Sequence, residues 1–380
     1  MRIGYITKED PNDVRAYSGT HYAMFQALKG EFEEVVPLGP INHWYKNVAK
    51  LKGKIKTFRS NKVFKFQYDL KLAKIHADII DRRIRKEKPD ILLGSLVSPE
   101  VAYLTSDVPL YLTTDATFPR LGMLHSSHKN LYKESFENAL LLEKKAFSKA
   151  EKIVLPLDWL KESAIKDYGI TENKIEVIPY GKNFEISFGQ SEIDNLIKLR
   201  KNKQELKFLF VGINWEQKGG YEALSIVREL TKKGLKSRLV VVGCIPEFQD
   251  KLMDVFGFLR KDKAEDLNKL TELYKSASFF LLPTKAECVG MSFIEAASFG
   301  LPAIGTNVGG VPEAVIDGET GIIIQRNDTS DMIAEKIFQI WKSDSEYERL
   351  SSNAFSRYSE QMNWKNWANR VKEVLSKEVI

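Results

Sequence analysis

Cysteine is nearly absent, with Cys244 and Cys288 the only two in 380 residues. Both stand at the ends of expected strands and read as reduced thiols of a cytoplasmic chain, not as a disulfide framework. No apolar run approaches 18 residues, which argues against a transmembrane helix. The start, Met1-Arg2-Ile3-Gly4-Tyr5-Ile6-Thr7, enters a strand with neither the apolar core nor the cleavage site of a signal peptide. Asp-x-Asp, the usual cue for a cation bridging a diphosphate, occurs nowhere. His125 and His128 stand three apart, but their neighbourhood offers no further ligand, so no metal site is read. After the first expected strand comes a long loop, Lys8 to Ser18, and then Gly19-Thr20. The G-x-G-x-x-G that a nicotinamide enzyme needs at this place is missing. Repeats, low-complexity segments and Gly/Ser-rich linkers are also lacking.

What remains is an ordinary globular composition, 43% hydrophobic and 28% charged, long enough for two or three domains. Short apolar runs alternate with helical stretches, the pattern of parallel βαβ units. Strands are expected at 3–7, 34–38, 90–94, 109–113, 153–155 and 174–178, and again at 207–212, 237–243, 255–259, 279–282, 302–306 and 321–324. That count gives an α/β protein of two Rossmann-like, doubly wound domains. Pro179-Tyr180-Gly181 reads as a turn between them.

The most informative stretch runs from Pro283 to Ile324. It follows the apolar strand Phe279-Phe280-Leu281-Leu282 with a loop carrying Glu287, then a helix opening near Gly290 and carrying Glu295. Such a strand-loop-helix unit aims the first helical N–H groups, here those of Gly290, Met291 and Ser292, at whatever sits above the sheet, and so suits an anionic ligand. A carboxylate accepts two charge-assisted hydrogen bonds and so binds vicinal hydroxyls well. Further along stand Ala296, Gly300 and Pro302, then Gly309-Gly310-Val311-Pro312-Glu313 and Asp317-Gly318-Glu319-Thr320-Gly321. Earlier, the strand Phe208-Leu209-Phe210-Val211-Gly212 leads through Ile213-Asn214-Trp215-Glu216-Gln217 to Lys218, well placed to neutralise a leaving diphosphate.

The segment resembles the signature of the family 4 retaining glycosyltransferases, with its Glu-x7-Glu motif, Ala-x-x-x-Gly-x-Pro segment and Gly-Gly-x-Pro-Glu loop. The resemblance implies the GT-B architecture, two Rossmann-like domains facing a cleft: residues 1–183 on the acceptor side, 184–358 binding the nucleotide sugar, and a helix in 359–380 that crosses back to the first domain. It implies that Glu295 takes the ribose hydroxyls, Glu287 the hexose, and Lys218 the departing phosphate beside the strand-ending Gly212. In the family an Arg follows that glycine; here the position is Ile213. Ser18-Gly19-Thr20 looks like a one-glycine version of the family's Gly-rich loop, where Gly19 approaches the donor, although a plain helix cap at Ser18 or Thr20 reads equally well. After the strand ending Thr113-Thr114, where the family often has His, stands Asp115. It could bind sugar hydroxyls, act as a base toward the acceptor, or cap the turn.

The implied function is transfer of a hexose-type sugar, with retention, from a UDP- or GDP-linked donor to a hydroxyl of a glycan, lipid carrier or small molecule. The implied chemistry uses no metal and no cofactor. A GT-B-type sugar-nucleotide 2-epimerase, a phosphorylase-like enzyme and a non-catalytic binding protein are the rival readings. Between Lys46 and Asp90, fifteen Lys or Arg face five Asp or Glu, a local net of +10 in a chain of net +6. Trp44, Tyr45, Phe58, Phe64, Phe66 and Tyr68 are interleaved with them. This segment suits an anionic membrane surface, and hence a peripheral place on the inner face of the membrane; an anionic acceptor, a solvated face and, least of all, nucleic acid are the other readings.

Overall fold

A computed structural model describes residues 1–124, 128 and 130–376; His125, and with it the paired-histidine reading, lies outside the described residues. The chain divides into two units, 1–180 with 364–380, and 181–363. The sequence reading drew these limits at 183 and 358.

The first unit runs β1 (Arg2–Ile6), α1 (Thr20–Glu31), β2 (Glu34–Pro37), α2 (Tyr45–Ser60), α3 (Leu70–Glu87), β3 (Ile91–Ser95), α4 (Ser98–Val101), β4 (Leu110–Thr113), α5 (Phe118–Leu124), α6 (Lys133–Lys149), β5 (Lys152–Leu155), α7 (Asp158–Tyr168) and β6 (Ile175–Val177). Its six strands are parallel, in the order β2-β1-β3-β4-β5-β6. β1 pairs with β3 from Ile3↔Ile91 to Ile6↔Gly94, so the order reverses between them. β3 and β4 are buried along their whole length, as strands covered by helices on both faces must be.

The second unit runs α8 (Gln190–Lys201), β7 (Leu206–Val211), α9 (Gly220–Lys232), β8 (Ser237–Val242), β9 (Met253–Val255), α10 (Ala264–Ser276), β10 (Phe279–Leu282), α11 (Met291–Ala297), β11 (Ala303–Thr306), α12 (Val311–Ala314), β12 (Gly321–Ile324), α13 (Ser330–Lys342) and α14 (Asp344–Glu360). Its parallel sheet has the order β12-β11-β10-β7-β8-β9, with the reversal between β7 and β10. In open sheets ligands bind outside the carboxyl ends of the strands at such a reversal. The loops after β7 and β10 are those carrying Lys218 and Glu287.

One strand is displaced from its expected place. The apolar run Val255–Leu259 does not form the edge strand; Met253–Val255 does, paired with Leu239–Val241. Gly257, at φ +65°, ends the extended stretch, and Phe258 beyond it is 67% exposed. Hydrophobicity marked this run, but only Met253 of the edge strand is buried.

α15 (Trp364–Ser376) belongs to the first unit. Trp367, Ala368, Val371 and Leu375 are fully buried, a helical stripe that packs on α1. The Trp364 ring lies 5.2 Å from that of Tyr180, and the Arg370 guanidinium donates to the Val177 carbonyl at 3.0 Å.

Candidate functional site

In the second unit the chain leaves β7 through Gly212, whose N–H donates to the Val242 carbonyl at 2.9 Å. A Cβ here would lie 2.8 Å from Lys218 Cγ, so the glycine gives the lysine stem room to cross the strand end. The turn from Asn214 to Lys218 closes by the Lys218 N–H to Asn214 carbonyl bond, 3.0 Å, and by the Gln217 N–H to Asn214 Oδ1 bond, 2.8 Å. The Lys285 N–H then donates to the Gln217 carbonyl at 2.9 Å, tying this loop to the one after β10. Gly219 fits between them at φ +77°; a Cβ there would stand 1.9 Å from the Pro283 carbonyl oxygen. The result aims two side chains, 69 residues apart, at each other: Lys218 Nζ donates to Glu287 Oε2 at 2.7 Å. Their side chains are 21% and 16% exposed. Glu287 is therefore a half-buried, paired carboxylate and not a solvated loop residue.

Gly290, at φ +77°, occupies the N-cap of α11. The first helical bonds come from the N–H groups of Phe293 and Ile294 to the Gly290 carbonyl, which leaves those of Met291 and Ser292 pointing out of the helix start. Glu295 follows in the second turn and is 2% exposed. It accepts from Tyr274 Oη at 3.0 Å and pairs with the Lys261 ammonium. Lys182 is also close enough for its charge to feel Glu295; burial brings its ammonium down to about 8, with Glu295 opposing. Its Nζ lies 4.9, 5.6 and 5.4 Å from the ring centroids of Phe184, Phe299 and Tyr358. Each of the two carboxylates thus faces an ammonium group, Glu287 that of Lys218 and Glu295 those of Lys261 and Lys182.

Lys261 and Lys182 escaped the sequence reading. The signal for Lys261 was the basic run Arg260-Lys261-Asp262-Lys263 ahead of α10. Nothing local marked Lys182, whose enclosure comes from rings contributed at residues 299 and 358. Ile213, at the family's arginine position, is 74% exposed; the further bases near Glu295 are Lys261, from the loop before α10, and Lys182.

Asp115 and Gly19 lie in the first unit; Asp115 lines a cavity of about 350 Å³ near the reversal between β1 and β3, and Gly19 does not. Tyr17, Ser18 and Gly19 all have positive φ, 48°, 57° and 92°. Gly19, not Ser18 or Thr20, is thus the N-cap residue of α1. This strained turn directs Tyr17 Oη to donate to Asp115 Oδ2 at 2.9 Å, and the Tyr17 and His21 rings stack 5.2 Å apart. Burial holds the His21 imidazole down at about 4, the Ser95 backbone opposing, so it is neutral. The cavity therefore does carry a histidine, from α1 and not from the loop after β4. Glu100, buried on the wall, faces Lys8 Nζ at 3.5 Å and His76 Nδ1 at 3.6 Å. Among the described residues no cluster of three His, Cys, Asp or Glu gathers as a metal site, and no helix is long and apolar enough to cross a membrane.

Glu143, also on this cavity, accepts from the Phe118 N–H at 2.7 Å and from Tyr168 Oη. Burial pushes its carboxyl from 4.5 up to about 7, against those two bonds. A raised carboxyl stabilises the fold fully below its unfolded pKa, and that stability is lost as pH rises through the folded value. The first unit is therefore expected to lose on the order of 3 kcal/mol between about pH 4.5 and 7, a loss that Glu143→Gln flattens. Thermal unfolding of both forms across that range checks it; parallel curves refute it.

A family model described as Glycosyl transferases group 1 matches residues 192–357. Among relatives, the capsular polysaccharide biosynthesis glycosyltransferase CapM of Staphylococcus aureus is 30% identical over 237 residues, 59% of this chain and 62% of that protein. The match thus spans less than two thirds of the relative's length. Among solved structures, sucrose-phosphate synthase from Thermosynechococcus elongatus superposes with a TM-score of 0.68 at 15% identity, covering 99% of this chain and 98% of that one. Anabaena Alr3699/HepE, solved in complex with UDP, superposes with a TM-score of 0.65 at 15% identity over 99% and 100%. At such identities the likeness carries the fold.

Proposed function

We propose that the protein, whose residues 192–357 match the group 1 glycosyltransferase model in a chain of GT-B fold, moves a hexose-type sugar from a nucleoside diphosphate sugar to an acceptor hydroxyl with retention. The observation that carries this reading is the Lys218–Glu287 pair at the sheet reversal. Glu287 takes the hexose hydroxyls. Glu295 takes the ribose, exchanging or sharing its Lys261 partner. Lys218, Lys261 and the outward N–H groups of Met291 and Ser292 receive charge as the bond from the anomeric carbon to the phosphate oxygen breaks. The electron pair leaves on that oxygen, the acceptor oxygen bonds to the same face of the sugar, and its proton passes to the departing phosphate. No protein nucleophile is needed, and most of the rate gain comes from stabilising the leaving group. With lysines in that role, the reaction needs neither a bridging cation nor a resident cofactor; the nucleotide sugar is substrate.

The acceptor belongs in the first unit's cavity. Glu9, Glu100 and Asp115 outnumber Lys8 on its wall, so it suits a neutral polyhydroxyl group of a glycan or glycolipid better than a phosphorylated one. Asp115, steadied by Tyr17, orients the hydroxyl that attacks. The UDP held by the Anabaena protein makes UDP-hexoses the first donors to try.

The test is calorimetric binding of UDP-, GDP-, ADP- and dTDP-sugars to the wild type, Glu295→Ala and Lys218→Ala, followed by product analysis with and without EDTA. One nucleotide is expected to bind, to lose affinity by about tenfold or more in both variants, and to be turned over equally with chelator. Binding unchanged in the variants refutes the residue roles. A free isomerised nucleotide sugar as product makes the protein an epimerase.

A further inference from the structure

The basic segment of the first unit is not uniform. α3 turns its apolar stripe, Leu72, Ala73, Ala77, Ile80 and Ile84, into the core, and Phe64 is buried. α2 does the reverse. Its inner face is small and cationic: Ala49 and Gly53 are buried, and the Phe64 ring sits 2.8 Å from where a Gly53 Cβ would be. Lys52 reaches Asp69 at 3.1 Å and Glu134 at 3.3 Å, and Lys56 joins Glu134 beneath the helix. Its apolar side chains face outward. Trp44, Val48, Leu51, Ile55 and Phe58 are 69%, 42%, 60%, 48% and 92% exposed.

Their spacing of four, three, four and three residues lays these five side chains along one line about 21 Å long at 1.5 Å per residue. Lys50 and Lys54 flank the line on one side and Arg59 on the other, all exposed, and the helix contains no Asp or Glu. This single row stands on a convex helix, without a groove into which a partner's core could pack. An apolar line between basic flanks is the arrangement of a helix lying in a headgroup layer, with its apolar side chains below the phosphates and its cations among them.

We propose that the outer face of α2 docks the protein on an anionic lipid bilayer, the helix lying in the plane of the interface. The occupant is a lipid surface and not nucleic acid, since a polynucleotide gives Leu51, Ile55 and Phe58 nothing to enter. This inference does not rest on the transfer chemistry, because α2 carries none of the residues assigned to the donor.

The experiment is co-sedimentation of the full chain with vesicles of phosphatidylcholine alone and with phosphatidylglycerol added, using wild type, Leu51→Glu/Phe58→Glu, and Lys50→Gln/Lys54→Gln/Arg59→Gln. Binding is expected to the anionic vesicles only, to weaken with salt, and to fall by about tenfold or more in each variant, with thermal unfolding and donor binding unchanged. Trp44 emission, taken as the difference between wild type and Trp44→Phe, is expected to shift to the blue on vesicle addition. Equal binding by the variants, or no binding, overturns the proposal. So does a wild-type dimer that Leu51→Glu/Phe58→Glu converts to monomer, since the face is then covered by a second copy.

Discussion

Lys218→Ala is expected to lower turnover of the nucleotide sugar by about 10²–10³-fold, the usual cost of removing one charged donor aimed at a developing anion. The lysine stem is held by the strand end at Gly212, and its ammonium by Glu287 at 2.7 Å, so the charge is placed before the donor arrives. Pre-placement is what makes such a group stronger toward the transition state than toward the ground state, and the loss therefore falls on kcat more than on KM. Folding is a separate matter: the side chains are only 21% and 16% exposed, and leaving Glu287 without its partner costs on the order of 1–3 kcal/mol. The check is steady-state kinetics of donor hydrolysis or transfer beside a thermal melt. Lys218→Arg should restore part of the rate, since charge and reach are kept. A rate within about threefold of wild type in the alanine variant would shift the leaving-group role to Lys261.

Arg200→Met is expected to destabilise the second unit by about 3–5 kcal/mol. Arg200 stands on α8 with no exposure. Its guanidinium donates to four backbone carbonyls: Gly300 at 2.8 Å, Phe299 at 2.9 Å, Lys275 at 3.2 Å and Tyr274 at 3.3 Å. Two of these are at the end of α10 and two follow α11, where the last carbonyls of a helix have no partner within it and carry the negative end of its dipole. Methionine fills the space but leaves all four carbonyls buried and unpaired. Arg200→Lys, with a single point of donation, should recover only part of the loss. Denaturant unfolding measures both; a change below about 1 kcal/mol in the methionine form would mean that water takes over the carbonyls.

Much of this fold was legible before any coordinates. Parallel strands buried on both faces must be short and largely apolar, so the runs at 279–282 and 90–94 stand out from their surroundings, and the strands fall at Phe279–Leu282 and Ile91–Ser95. The edge strand β9 was misplaced because that rule weakens at an edge. Sheet order was not legible, since hydrophobicity says where a strand is and not which neighbour it takes. Lys218 and Glu287 stand out in the sequence because each follows a strand and matches the family's motif; that they touch each other is a property of the loop packing through Gln217 and Lys285. Lys182, Tyr17, His21 and Glu143 depend wholly on what tertiary structure brings against them. Nothing in the charged, polar sequence of α8 marks Arg200 as buried. The aromatics near the basic segment read alike in sequence, whereas the fold buries Phe64 and leaves Trp44 and Phe58 outside.

The placement of α15 bears on how the chain is made. The first unit lacks its last helix until residues 364–376 have left the ribosome, and the whole of 181–363 is synthesised in between. At ~5–20 residues per second that interval is roughly 10–40 s. During it the nascent first unit presents to solvent the face of α1 on which α15 later packs, while the second unit, contiguous in sequence, can fold as soon as it emerges. A chain cut just before Trp364 would then display a finished second unit tethered to an unfinished neighbour, the form on which chaperones and proteases act.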